Sequence, residues 1–295
     1  MKSVIEVENL THSYGQRSIY KNLNFSVQAG KVVGLLGKNG VGKTTLIKIL
    51  MGYLRPTSGL CRVFGEDSHD LTPQTRSRIG LLFEGHLAYE FMTIGQIERF
   101  YAAFYSKWDR SIYFDLVNRL GLPFDHLLKD MSCGQQSQVV LGLIMAQQPE
   151  LLILDDYSMG LDAGYRRLFL DYMREYLEEG DRTVFLTSHV IQDMEGFVDE
   201  VIFLEPNGRL LVTSLEDFMR TFRCYRLPRN GNTATPVVDK FIKNIETHAH
   251  CWNIFTFSEA ERIKDSLQNQ GFSPSGLEPV PMNLEDAFIG YTGRY

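Results

Sequence analysis

The stretch Gly37–Thr45, GKNGVGKTT, has the residue types and spacing of a phosphate cradle: Gly37, Gly42, Lys43 and Thr44 fall at the fixed positions of G-x-x-x-x-G-K-[ST]. Glycines keep side chains out of the way, so successive backbone N–H groups, through Asn39, Gly40 and on to Thr45, can turn toward a triphosphate. Lys43 brings a full charge to the β- and γ-phosphates, and the Thr44 hydroxyl is placed to ligate magnesium. Two further stations carry polar groups at the ends of apolar runs. Leu151–Leu154 ends in Asp155-Asp156, and Thr183–Thr187 ends in Ser188-His189. Taken singly, a strand-end turn and a structural histidine are the simpler accounts of these.

The elements that must position the loop are legible around it. Val32–Leu36 reads as a buried strand, and Leu46, Ile47, Ile49 and Leu50 as one face of a helix. Strand, glycine loop and helix in that order argue against a chance Gly-Lys-Thr turn and predict a nucleoside triphosphate site. The helix N-terminus adds its partial positive charge at the same spot. Upstream, Ile5 and Val7 alternate with Glu6 and Glu8, and Leu23, Phe25 and Val27 alternate likewise, so two half-buried strands are predicted. Tyr14, beside Gly15, reads from residue type as a turn aromatic that packs a hairpin.

Further along, Leu60–Phe64 gives a short strand, and Ile79–Phe83 is an apolar run that stops at Glu84. Thr93 with Gln96 fits a capping box. It opens an amphipathic helix carrying Ile94, Ile97, Phe100, Tyr101 and Phe104, and helical patterning continues through Leu120. Met131–Gln136 starts another helix, whose apolar face is Val139, Val140, Leu143 and Ile144. Pro206-Asn207-Gly208 signals a hairpin between apolar runs. Composition shifts after Ser214, and 215–295 reads as a small α+β appendage without chemistry of its own.

Bulk properties narrow the classes. The chain has 295 residues, 44% of them hydrophobic, a net charge of −6, and four cysteines without a CxxC pair. That balance offers no basic surface for nucleic acid and argues for reduced thiols rather than a disulfide frame or a zinc site. No apolar run reaches the roughly 18–20 residues that span a bilayer, and the first residues do not form a signal peptide. The expectation is a soluble, cytoplasmic chain that reaches a membrane only through a partner.

In their order, GKNGVGKTT, Glu84, MSCGQQ at 131–136, LLILDD at 151–156, Gly160-Leu161-Asp162 and His189 resemble the ATP-binding subunit of an ATP-binding-cassette (ABC) transporter. The resemblance covers 1–212. The tail, Asn283–Phe288 followed by Tyr291–Arg294, looks like the closing helix of drug- and antibiotic-exporting cassettes that work with type-2 ABC permeases. The implied fold is α/β: a P-loop NTPase cassette over 1–214 with a RecA-like core, an antiparallel β subdomain and a helical subdomain near 85–150, then a small α+β domain over 215–295.

The resemblance also implies roles. Two cassettes, as a homodimer or heterodimer, sandwich two ATP molecules. Tyr14 then stacks on adenine. Thr44 and Asp155 hold Mg2+ with Glu84 near it, and Asp156 orients and deprotonates the attacking water. His189 contacts the γ-phosphate. Ser132, Gly134 and Gln135 reach that phosphate from the opposite subunit, and Asp162 lies at the seam. An integral-membrane permease on a separate chain is the implied partner, with the cassette peripheral on the cytoplasmic face of the membrane.

Several positions depart from the family pattern. Asp156 stands where glutamate is usual, Glu84 for glutamine, Cys133 for glycine, Tyr157 for proline and Gln138 for arginine. A carboxylate one methylene shorter sits back from the water, which predicts slow hydrolysis. The leading expectation is therefore a slow ATPase powering export. The alternative is an ATP-dependent dimerisation switch with little turnover. A third class, a soluble cassette acting on ribosomes or DNA, is opposed by the acidic charge and the exporter-like tail.

Overall fold

The computed structural model describes residues 2–83, 89–158, 160–178, 180–229 and 234–293. The chain divides into two compact units, 1–212 and 213–295. In chain order the first carries β1 (Ser3–Tyr14), β2 (Arg17–Gln28), β3 (Val32–Leu36), α1 (Lys43–Leu50), β4 (Ser58–Val63), β5 (Glu66–Asp67), α2 (Pro73–Arg76) and β6 (Ile79–Leu82). There follow α3 (Ile94–Ala102), α4 (Arg110–Asn118), α5 (Cys133–Ala146), β7 (Leu151–Leu154), α6 (Ala163–Glu178), β8 (Thr183–Leu186), β9 (Glu200–Leu204) and β10 (Leu210–Ser214).

Two sheets share one core. The smaller is antiparallel, in the order β2-β1-β4-β5. The larger runs β10-β9-β3-β8-β7-β6, with β9, β3, β8, β7 and β6 mutually parallel. Strands β3, β7 and β8 are buried along their whole length, which is why they read as unbroken apolar runs rather than as alternation. The antiparallel strands do alternate, with Ile5 and Val7 inward and Glu8 outward. Helix α1 buries Leu46, Ile47, Ile49 and Leu50 in the same cluster as Leu10, Leu23, Val33 and Leu35. Each such side chain contributes about 1.5–3 kcal/mol of burial, so the start of α1 is anchored from its far end. The fold is that of an α/β P-loop cassette.

The helical layer differs in detail from expectation. Helix α3 opens on the Thr93–Gln96 capping box as read, but it ends at Ala102. Phe104 therefore lies beyond it, 68% exposed and edge-on to Phe100. The chain is not helical again until α4, whose N-cap is Asp109. In α5 burial extends past one stripe to Gln138, Leu141, Gly142 and Met145, because α4, α6 and β6 all pack against it.

The second unit holds α7 (Leu215–Thr221), β11 (Arg223–Pro228), β12 (Asn244–Thr247), β13 (Cys251–Thr256), α8 (Ala260–Asn269), β14 (Glu278–Val280) and α9 (Leu284–Thr292). Its antiparallel sheet runs β12-β13-β11-β14. Tyr225, Leu227, Trp252 and Ile254 from the sheet pack with Ile263 and Leu267 of α8.

Candidate active site

Strand β3 delivers the chain to Gly37, where a Cβ would lie 2.7 Å from the Leu204 carbonyl and 2.8 Å from Val41 Cγ1. Only glycine fits there. Gly42, at φ +115°, is the N-cap of α1, and a Cβ on it would meet Tyr20 Oη at 2.5 Å. Tyr20 donates its hydroxyl to the Gly42 carbonyl, which props the turn from behind. No side chain caps α1, so its first backbone N–H groups remain available to an anion.

Lys43 Nζ donates to the carbonyls of Gly37 (2.7 Å) and Lys38 (3.4 Å), so its ammonium lies against the loop's own backbone. Burial holds its pKa below the usual lysine value, and the carboxylates of Asp155 and Asp156 offset only part of that shift. That opposition places the charge, the carboxylates and the loop in one electrostatic neighbourhood.

The carboxylates stand at the end of β7. Asp155 is 3% exposed, accepts from Thr187 Oγ1 through Oδ1 at 2.9 Å, and keeps Oδ2 buried with no hydrogen-bond partner. Asp156 has a left-handed backbone at φ +49°. Its N–H donates to Thr187 Oγ1 at 2.8 Å. Its Oδ1 accepts from Ser158 Oγ at 3.1 Å and from the His189 N–H at 3.4 Å, while His189 Nε2 lies 3.3 Å from Oδ2. Tyr157, in the place of a proline, is buried and stacked on Phe169 with ring centroids 4.9 Å apart.

A cleft of about 390 Å³ gathers these groups. Tyr14, Asn39, Gly40, Gly42, Lys43, Thr44, Thr45, Asp155, Asp156 and His189 line it, as do Arg17, Ile19 and Thr187, which sequence reasoning missed. Tyr14 shares a long hydrogen bond of 3.5 Å with Thr45 Oγ1 and packs edge-on against His12. Arg17 donates to the Gly40 carbonyl at 3.1 Å. The signals that could have found Arg17 and Ile19 are their places on the β1–β2 hairpin beside Tyr14.

Ser132, Gly134, Gln135 and Asp162 do not line this cleft. Ser132 caps α5, and its box with Gln135 is closed. A Cβ on Gly134 would lie 2.4 Å from the Tyr165 ring, and the Tyr165 N–H donates to Asp162 Oδ1 at 2.9 Å. The MSCGQQ signature at 131–136 and the Asp162 segment are thus neighbours, and the exposed Cys133 lies beside Gly160. Gln138 is buried with neither amide atom hydrogen-bonded. Glu84 lies outside the described residues.

Among the described residues no group of three or more His, Cys, Asp or Glu side chains could hold a metal ion. A nucleotide-bound magnesium needs fewer protein ligands, since it keeps waters and takes phosphate oxygens. The buried, unpartnered Asp155 Oδ2 fits one such ligand.

Comparison with known proteins decides the family. The ABC transporter family profile matches residues 20–158. The bacitracin transport ATP-binding protein BcrA of Enterococcus faecalis is 30% identical over 99% of this chain and 97% of its own length. This chain belongs to the ATP-binding proteins of ABC transporters. The cassette is also similar to the Nod factor export ATP-binding protein I of Sinorhizobium fredii (28% identical; 98% of this chain, 86% of that one). YtrB of Bacillus subtilis is 24% identical over 98% of each chain. Among solved structures, the ATP-binding subunit of an ABC transporter superposes with a TM-score of 0.65 at 26% identity, covering 74% of this chain and 92% of that one. The dimeric cassette MJ0796 with ADP and Pi shares the fold (TM-score 0.62; 22% identity; 72% of this chain, 98% of that one). By membership the cassette is an ATPase.

Proposed function

We propose that this cassette is the ATP-hydrolysing subunit of an exporter whose membrane permease is a separate chain, and that it works as a pair of cassettes. The observation that carries the hydrolytic part is the cleft itself, where Lys43, Thr44, Asp155, Asp156 and His189 face one space. Export is supported by relatives named for bacitracin transport and Nod factor export. Among the described residues no helix is long and apolar enough to cross a membrane, in keeping with a permease on another chain.

The residues act mainly by positioning and charge. Tyr14 stacks on the base. The open start of α1 and Lys43 hold the phosphates, Lys43 trading its loop carbonyls for phosphate oxygens. Thr44 and Asp155 would hold magnesium, which supplies positive charge to the phosphate oxygens. Asp156 orients the attacking water and takes its proton, and His189 donates to the γ-phosphate. Ser132, Gly134 and Gln135 of one cassette meet the nucleotide of the other. The permease docks on the aromatic surface around α3, where Phe91 and Phe104 are 69% and 68% exposed and Tyr89 and Phe100 pack between them.

A second reading, an ATP-driven dimerisation switch with little turnover, is favoured by Cys133 and by the hold of His189 and Ser158 on the Asp156 carboxylate. Steady-state phosphate release by the purified chain, alone and in vesicles with a co-expressed candidate permease, separates the two. Release stimulated by the membrane protein supports the exporter. ATP-dependent dimers with no release in either setting support the switch.

A further inference from the structure

Strand β8 runs parallel to β7 in strict register, Leu151 opposite Thr183 through Leu154 opposite Leu186. The Thr187 N–H continues that ladder by donating to the Leu154 carbonyl at 2.8 Å. This fixes the Thr187 backbone directly beside the point where β7 hands over to Asp155 and Asp156. Its side chain is β-branched, 1% exposed and confined to few rotamers.

A threonine hydroxyl has one proton to give and lone pairs to receive. Here the Asp156 N–H occupies a lone pair at 2.8 Å, so the proton goes to Asp155 Oδ1 at 2.9 Å. The relay has a single direction: Asp156 N–H to Thr187 Oγ1, then Thr187 O–H to Asp155 Oδ1. Its consequence for Asp155 is that Oδ1 is engaged and the carboxylate cannot swing, leaving Oδ2 as the buried oxygen without a partner. Its consequence for Asp156 is that a residue already out of the ladder, at φ +49°, is held by its amide.

We infer that Thr187 is a positioning residue that sets both carboxylates at once, aiming Asp155 Oδ2 at the metal and fixing the backbone from which Asp156 reaches the water. This rests on the reading of Asp155 as metal ligand and Asp156 as base. A merely structural threonine would fill space and stabilise the strand end. The inference requires more, namely that the hydroxyl governs how much magnesium improves nucleotide binding.

The test uses the full chain with Thr187→Val, which keeps the shape and removes the hydroxyl, and Thr187→Ser, which keeps the hydroxyl and removes the methyl. The readouts are the gain in affinity for a ribose-labelled fluorescent ATP on replacing EDTA by Mg2+, kcat and KM for phosphate release, and the melting temperature without nucleotide. Groups that orient metal ligands typically matter by about 10- to 100-fold. Thr187→Val is therefore expected to lose about tenfold or more of the magnesium-dependent gain, and about 10²-fold in kcat, with nucleotide affinity in EDTA unchanged. Thr187→Ser is expected to restore both. Thr187→Ala, read the same way, serves if the valine variant does not fold.

A lowered melting temperature in Thr187→Val with wild-type magnesium gain and kcat overturns the inference. Asp155→Asn separates this from failure of the underlying reading. If Asp155→Asn loses the magnesium gain and Thr187→Val does not, only the role of Thr187 falls. If Asp155→Asn keeps the gain, Asp155 is not the ligand and both fall.

Discussion

Helices α1 and α5 both begin at motifs that the proposed function assigns to phosphate, and they begin in opposite ways. Helix α1 starts at a left-handed glycine with no side-chain cap, so its first N–H groups are uncommitted. Helix α5 starts at Ser132, whose Oγ accepts from the Gln135 N–H at 3.3 Å while Gln135 Oε1 accepts from the Ser132 N–H at 2.9 Å. The first is an anion site assembled within one chain, backed by Tyr20 and Lys43. The second commits the N–H groups of Ser132 and Gln135 to its own cap, and the Ser132 hydroxyl proton and the Gln135 amide N–H groups are the side-chain donors left to meet a nucleotide. The difference predicts an order of events: the loop loads first, and the signature engages only when a second cassette brings a phosphate to it.

Breaking the loop side should have the largest effect. Lys43→Ala removes a charge shared by two phosphates, each contact worth about 1.5–3 kcal/mol, so fluorescent-ATP affinity should drop by about 10²-fold or more. Unchanged affinity would remove the loop from the nucleotide site. Next comes Asp156→Glu, which extends the base by one methylene and should raise steady-state phosphate release by up to about 10²-fold. Flat or lowered release would mean that the site is already adapted to aspartate.

The α5 side is tested by Gly134→Ala. Its new Cβ would be driven into the Tyr165 ring, and overpacking costs about 1–3 kcal/mol. In an Asp156→Asn background, which should form dimers with ATP and not with ADP on a sizing column, the alanine should weaken dimers about tenfold while monomer affinity for fluorescent ATP stays put. Loss of both would couple the two helix starts within one chain and contradict the contrast. Cys133→Gly should give a smaller gain in phosphate release, largest when combined with Asp156→Glu.

What could be read in the sequence was local. The loop follows from nine consecutive residues, Gly37–Thr45, and α1 from the apolar residues directly after them, Leu46, Ile47, Ile49 and Leu50. The capping box at Thr93 needs only four residues, and the one at Ser132, equally local, was not read. The turn at Asn207-Gly208, with φ of +64° and +79°, is likewise written in adjacent residues. Thr187 was not legible as a partner of Asp155 because 32 residues and a helix separate them, and only the β7–β8 register brings them together. Tyr20 was hidden for the same reason, since it reaches Gly42 from another sheet. Phe104 misled because helical spacing persists in the sequence past Ala102, where the chain leaves the helix.

The left-handed backbone of Asp156 sets a trade between pace and durability. Aspartate and asparagine enter that region more readily than other residues with side chains. Glutamate has no short side chain to bond locally there and pays about 1 kcal/mol more. The variant expected to turn over faster should therefore melt about 2–4 °C lower, a shift that calorimetry of the nucleotide-free chain resolves. The two side chains would then divide one position between stability, with aspartate, and turnover, with glutamate.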